Sequence, residues 1–249
     1  MNHSKVVLIT GSSRGIGATT AKLFAENGYS VVLNYQHSQQ QAEQLKQEIT
    51  DMGAACIAVQ ADVSNESEVA NLFRAADQLG VLSVLVNNAG ILDKQARLED
   101  ISAERFKNIL EVNVLSCFLC TKEAIKRMST NHGGVGGTVV NVSSGAAKTG
   151  SPNEYVDYAA SKGAMDTLTR GAAMELASEG IRVNSVRPGL IYTDMHASGG
   201  EPNRVDRLKE KIPLKRGGTP QEVAEAILWL ATDKSSFVTG SFIDTTGGL

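Results

Sequence analysis

The sequence predicts an α/β protein built on a parallel sheet covered by helices on both faces, and three observations carry that expectation. Short runs rich in β-branched residues alternate with longer stretches of helical composition along the chain. The first such run, Val6 to Thr10, leads straight into Gly11, Gly15 and Gly17 and then into a helical stretch. Gly28 and Gly53 each close a helical stretch before the next strand, as a left-handed C-terminal cap would.

The 249 residues suit one α/β domain, so a single unit spanning 1–249 is expected. With 42% hydrophobic and 20% charged residues the chain can bury a sizeable core. A net charge of -3 and a pI near 5.9 give no general attraction for nucleic acid or anionic membrane, and neither partner is expected. The segment Val6 to Ile9 is too short for a secretory h-region, and no apolar run approaches the ~18 residues of a membrane-spanning helix, which points to a cytoplasmic protein. Cys56, Cys117 and Cys120 make an odd count in a chain that needs no covalent staples, so free thiols are expected.

Val6 to Thr10 is the first strand, and Ala18 to Asn27 its helix. The glycines between them let backbone N–H groups at a helix N-terminus approach an anion, and a pyrophosphate would fit there. Ser30 to Tyr35 is the second strand, and Ser38 to Met52, rich in Gln, Glu and Lys, a solvated helix. Ala54 to Gln60 is the third strand; Ser64 to Leu79 is the third helix, with Ser64 as N-cap. Asp62 lies just past that third strand, at the sheet end where ligands bind in such folds, and otherwise reads as a turn residue.

Val81 to Val86 is a fourth strand running into Asn87-Asn88-Ala89-Gly90, where amides and a glycine at a strand end let a ligand lie close. Ser102 to Met128 is one long helix containing Asn113 among Val112, Val114 and Leu115. A buried Asn there needs partners, as a structural bridge or as part of a proton path. Cys117 and Cys120 form a Cys-x-x-Cys inside that apolar helix, with no second pair at zinc spacing, so they read as core rather than as a metal or redox site.

Thr138 to Val142 is the fifth strand, ending in Ser143-Ser144. The next helix carries Tyr158 and Lys162, four residues apart and so on one face, where an ammonium would lower the phenol's pKa from its usual ~10. Ile181 to Val186 is a sixth strand broken by Arg187-Pro188-Gly189. From Tyr192 to Gly218 the chain is rich in Gly, Pro and charge, with a helical piece from Arg204 to Lys211; it reads as a mobile lid or a plain surface insertion. Pro220 to Ala231 is the last helix, capped by Thr219, and Ser241 to Asp244 a closing strand.

These residues together resemble the short-chain dehydrogenase/reductase family over essentially the full length. The resemblance rests on Thr10-Gly11-Ser12-Ser13-Arg14-Gly15-Ile16-Gly17, Asp62, Asn87-Asn88-Ala89-Gly90, Asn113, Ser144, Tyr158-x-x-x-Lys162 and Arg187-Pro188-Gly189. Among subgroups, the chain is most similar to 3-oxoacyl carrier-protein reductases and glucose 1-dehydrogenases. The resemblance implies a single-domain Rossmann fold with a seven-stranded, doubly wound parallel sheet in the order 3-2-1-4-5-6-7 and a short lid at 192–218. It implies hydride transfer between NADP(H), or NAD(H), and a small carbonyl or alcohol. Tyr158 would be the general acid, with Lys162 lowering its pKa and holding the nicotinamide ribose; Ser144 would steady the substrate oxygen and Asn113 would anchor a relay water.

By the same resemblance Gly11, Ser13, Arg14, Gly15, Ile16 and Gly17 would hold the pyrophosphate side of the cofactor, and Asp62 and Val63 the adenine side. Asn88, Ala89, Gly90, Pro188, Gly189, Ile191 and Thr193, with Tyr158 and Lys162, would complete the site. Tyr35 stands where NAD-preferring relatives have Asp, which with Arg14 favours NADP. Ser143 stays an alternative to Ser144, Tyr155 lacks a lysine four residues on, and a homotetramer is expected. Arg204, Arg207, Lys209, Lys211, Lys215 and Arg216 could dock a carrier protein or form a solvated face. The competing class is a dinucleotide-binding scaffold or regulator without chemistry.

Overall fold

Seven parallel strands in the order β3-β2-β1-β4-β5-β6-β7 form one sheet in the computed structural model, which describes residues 5–249. The strands are β1 (Lys5–Ile9), β2 (Ser30–Tyr35), β3 (Cys56–Gln60), β4 (Val81–Asn87), β5 (Gly137–Val142), β6 (Ile181–Pro188) and β7 (Phe242–Thr245). The order reverses at β1 and β4, where Leu8 pairs with Val32 on one side and Leu85 on the other. In doubly wound sheets the crevice for a ligand opens at that switch point, beyond the carboxyl ends of the strands.

Alternate residues of β1 face opposite cores, as the two-residue period of a strand requires. Val7 and Ile9 pack with Phe24 of α1 (Gly15–Glu26), Leu45 and Ile49 of α2 (Gln39–Asp51), and Ile227 and Leu230 of α10 (Pro220–Ala231). Val6 and Leu8 pack with Leu72 and Phe73 of α3 (Glu66–Asp77), Leu119 and Met128 of α5 (Ser116–Met128), and Ala173 of α7 (Val156–Leu176). Phe24 and Phe73 are fully buried anchors of the two layers, each contributing ~1.5–3 kcal/mol by burial alone. Cys117 and Cys120 are buried free thiols in the second layer's helix, and Cys56 is also free. Among the described residues, no helix is long and apolar enough to cross a membrane.

Two local expectations are corrected. The stretch from Ser102 to Met128 is not one α-helix: α4 (Ala103–Leu110) and α5 are joined by a π-helical turn over Glu111–Leu115. That wider turn sets Asn113 inward at 0% exposure and is the kind of distortion that marks functional sites. The cap of α3 is Asn65, whose side chain accepts from the Ser67 and Glu68 amides, while Ser64 donates to Asp62. Thr219 does cap α10, in a reciprocal capping box with Glu222 and with Pro220 in the first turn.

Between β5 and α7 lies the short α6 (Ala146–Thr149), and beyond β6 come α8 (Met195–Ser198) and α9 (Arg204–Leu208). The segment carrying α8 and α9 leaves and rejoins the body at a bridge between Ile191 and Gly218, closed by the Tyr192 amide on the Gly218 carbonyl at 3.0 Å.

Candidate active site

The carboxyl ends of β1, β4, β5 and β6 converge on a cleft of about 590 Å³. One end adjoins the glycine turn before α1, from which Ile16 reaches the lining. Gly11 and Gly15 hold left-handed backbone angles, φ 59° and 57°, which glycine adopts without strain. Gly17 allows the closest approach, because a Cβ there would lie 2.6 Å from Asn88 Nδ2 and 2.8 Å from the Gly11 oxygen. Asn88 in turn donates to the Thr10 and Gly11 carbonyls, both at 2.9 Å. Among the described residues, Arg14 at the N-cap makes no side-chain capping bond and the first turn of α1 carries no acid, so its N-terminal dipole is unopposed there.

Sequence reasoning missed Asn34 and the part Thr10 plays in bracing this turn. Asn34, near the end of β2 and 2% exposed, accepts from the Gly11 amide at 3.1 Å and donates to the Ala61 carbonyl at 3.0 Å. Thr10 Oγ1 accepts from the amides of Asn88 and Ala89. A lone Asn in the apolar run Ser30 to Tyr35 was the available signal, since a buried amide must find partners.

Ile16, Asn88, Pro188, Gly189, Ile191 and Thr193 all line the cleft, and Thr193 lies against Gly15. Ser13 is half-buried and Arg14 exposed on the turn, while Ala89 packs against Gly11. Tyr35 and Val63 are both buried, at 6% exposure. Asp62 is engaged locally: Oδ1 accepts from Ser64, and Oδ2 accepts from Gln36 Nε2 at 2.8 Å.

The chemical end of the cleft is built on β5 and α7. The two adjacent serines both line the cleft but differ in burial and bonding. Ser143 is buried, its amide donating to Val186 and its hydroxyl donating to the Lys162 carbonyl at 3.3 Å. Ser144 is half-buried, lines the cleft beside Tyr158 and accepts from the Ala146 amide at 3.1 Å.

Tyr158 and Lys162 share a face of α7, with the Lys162 nitrogen 5.6 Å from the centre of the Tyr158 ring. The expected lowering of the phenol's pKa is corrected. Burial pushes Tyr158 up to about 12, with only Ser144 acting downward. Lys162 is 3% exposed and is pushed down to about 8 by burial, against upward pulls from Cys117 and Asp166. Its ammonium donates to the Val142 carbonyl at 2.8 Å. Asn113 accepts from the Ile91 amide at 2.8 Å and donates to the Ile91 carbonyl and Ser161 Oγ, both at 3.0 Å. These bonds give it a structural bridge beside Gly90, where a Cβ would meet both Asn113 Oδ1 and Lys162 Nζ within 3.4 Å.

The outer wall is mostly apolar, with Leu92, Pro152, Tyr155, Met195, Leu208 and Leu249, interrupted by Lys148, Glu154, His196 and Lys211. Tyr155, buried and donating to the Gly199 carbonyl at 3.2 Å, is part of that wall. Arg204 is 8% exposed, stacks over the Tyr155 ring at 5.2 Å, and pairs with Glu154 and Glu201. Arg207, Lys209 and Arg216 pair with Glu201, Asp206 and Glu222. The cations of the 192–218 segment are therefore mostly matched by carboxylates, and Arg204 is an internal tie rather than part of an open basic face.

Comparison with known proteins agrees with this architecture. The family model described as enoyl-(acyl carrier protein) reductase matches residues 11–249. The chain is 56% identical to an uncharacterized oxidoreductase, YgfF, of Escherichia coli over 98% of its own length and 99% of that protein's. It is 36% identical to the 3-oxoacyl-[acyl-carrier-protein] reductase FabG of Staphylococcus epidermidis, over 99% of each. Among solved structures, a 3-ketoacyl-(acyl-carrier-protein) reductase of Brucella melitensis complexed with NADH superposes with TM-score 0.90 at 34% identity, covering 98% of this chain and 97% of that one. A mutant short-chain dehydrogenase/reductase of Serratia marcescens gives 0.89 at 32% identity, with the same coverage.

Proposed function

The chain belongs to the short-chain dehydrogenase/reductase family and is an oxidoreductase with a nicotinamide dinucleotide cofactor, and from that premise we propose that it reduces the carbonyl of a small, largely apolar substrate with NADPH. The observation that carries this reading is the placement of Ser144, Tyr158 and Lys162 around one end of a cleft whose outer wall is mostly apolar.

The glycine turn fits a dinucleotide. The uncapped, acid-free N-terminus of α1 suits a pyrophosphate, and the glycine contacts leave room for its close approach. Gly11, Gly15, Ile16 and Asn88 would hold that end, Thr193 and Gly189 the middle, and Lys162 the nicotinamide ribose. When bound, the cofactor supplies the hydride. Tyr158 gives its proton to the substrate oxygen as negative charge develops there, and Ser144 donates to the same oxygen. Lys162, fixed on Val142, holds its ammonium one helical turn from the phenol, where it would orient the nicotinamide ribose.

Preference for NADPH is supported by the exposed Arg14 and by the run from Tyr35 to Gln41, which carries no acid to repel a ribose phosphate. The Asp62 carboxylate is already engaged by Gln36 and Ser64. The mostly apolar outer wall favours a 3-oxoacyl-like substrate over a sugar, which would need polar partners for each hydroxyl. The 192–218 segment acts as the substrate lid on a single catalytic domain. A homotetramer is supported by exposed apolar side chains on the helices, Leu115 and Phe118 at 39% and 49% and Met174 at 85%.

A panel of apolar 3-oxo esters, aryl ketones and aldoses, followed by NADPH and NADH absorbance, tests the reading. Turnover of the oxo esters or ketones with NADPH is expected. No turnover of any carbonyl, or turnover of aldoses alone, would refute it.

A further inference from the structure

The 192–218 segment is tied to the body at its base and again at its far end. At the base the Ile191–Gly218 bridge joins its two ends, and the Leu214 amide donates to the Gly247 carbonyl at 3.1 Å. Among the described residues, three hydrogen-bonded ties hold the far end. Arg204 forks onto Glu154, with Nη1 donating to Oε1 at 3.0 Å and Nη2 donating to Oε2. The Tyr155 hydroxyl donates to the Gly199 carbonyl at 3.2 Å, and Gln95 Nε2 donates to Glu201 Oε2 at 2.8 Å. The receiving loops, between β4 and α4 and between α6 and α7, are joined in turn by the Ala96 amide on the Glu154 carbonyl at 3.0 Å. Packing under the ties is close: a Cβ on Gly199 would lie 2.3 Å from Leu92 Cδ1 and 2.9 Å from the Tyr155 hydroxyl oxygen.

Arg204 is the hub of this contact and is 8% exposed, a depth at which a guanidinium needs a carboxylate. Glu201, three residues earlier in the same segment, supplies one at 3.0 Å. Glu154 supplies a second from the body, in the bidentate geometry that fixes orientation as well as distance. Among the described residues, it is the one ion pair between 195–211 and the rest of the chain, since Arg207 and Lys209 pair within the segment. Leu92, Glu154, Tyr155 and Arg204 all line the cleft, so the ties form its outer boundary. We propose that the Glu154–Arg204 pair is a specificity determinant: by holding the segment against the rim, it limits the length of the group that the substrate carries beside its reacting carbonyl. This rests on the reading of 192–218 as the substrate lid. Short substituents fit within the closed wall, and longer ones need the pair to part.

The test compares NADPH-dependent kcat/KM over 3-oxo esters of increasing acyl length, beside the rate of tryptic cleavage within 204–211. Glu154→Gln cuts the tie to the body while Glu201 still compensates Arg204, so the fold should hold, and NADPH binding checks it in each variant. The ratio of kcat/KM for the longest ester to that for the shortest should rise about tenfold or more, through KM, the scale on which pocket limits discriminate apolar groups. Cleavage should quicken in parallel. Arg204→Met should act in the same direction, and the double variant should add little to either single, as for two groups acting through one contact. A pair that only stabilised the fold would lower the unfolding midpoint and leave the ratio unmoved. If cleavage quickens while the ratio stays fixed, the pair holds a segment that does not select substrates, which overturns the lid reading and the proposal with it. If both stay fixed in folded variants, the proposal alone is overturned and the lid reading stands.

Discussion

The Lys162 ammonium donates to the Val142 backbone carbonyl at 2.8 Å, at the end of the strand that also delivers Ser144. One bond thus fixes the cation, the strand end and the helix that carries Tyr158. Because burial holds Lys162 down to about 8, the folded chain binds fewer protons there than the unfolded chain between about 8 and 10.5. Stability rises with pH wherever the unfolded state binds more protons. Relative to Lys162→Met, the unaltered protein should therefore gain about 2–3 kcal/mol as pH rises across that window. Urea unfolding at about pH 7.5 and 10 checks it, and a gap that does not narrow or reverse with pH contradicts the burial of a charged lysine.

The neighbouring serines should separate cleanly in kinetics. Ser144→Ala removes the hydroxyl on the cleft beside the phenol, and should lower kcat by about 10²–10³, the usual loss for one oxyanion donor. Ser143→Ala removes a buried bond to the Lys162 carbonyl and should cost about 1 kcal/mol of stability with kcat nearly kept. Steady-state kinetics and thermal unfolding of both variants decide, and the reverse pattern would assign the role to Ser143.

Gly17→Ala should be poorly tolerated. Its Cβ would meet Asn88 Nδ2, the Gly11 oxygen and the Ser12 Cα within 2.8 Å, all parts of a braced turn. Overpacking of this kind costs about 1–3 kcal/mol, and cofactor affinity should fall about tenfold or more as Asn88 is displaced from Thr10 and Gly11. Unfolding midpoints and a nucleotide titration measure both effects; a variant that binds normally would show the turn to be pliable.

The sheet was readable from sequence because each strand is an apolar, β-branched run bounded by glycines or turn residues, and the family resemblance supplied the strand order. The glycine turn, Tyr158 and Lys162 were readable for the same reason: their chemistry depends on local spacing. What escaped depended on long-range partners. Asn34 and Thr10 matter through bonds to segments distant in sequence. The π turn at Asn113 and the burial of Arg204 between Glu154 and Glu201 arise from packing that spacing does not encode. The phenol's pKa moved opposite to expectation because desolvation in the cleft outweighs a lysine that is committed to Val142.

The central claim is that the Tyr158 hydroxyl delivers the proton. The direct measurement is Tyr158→Phe, which deletes that hydroxyl and keeps the ring, assayed for NADPH affinity by fluorescence and for single-turnover reduction of an active 3-oxo ester or ketone. Affinity within about threefold of the unaltered protein and a loss of turnover of about 10³ or more are expected, in line with removal of a positioned general acid. A variant that binds NADPH and still reduces the substrate at a comparable rate would contradict the account.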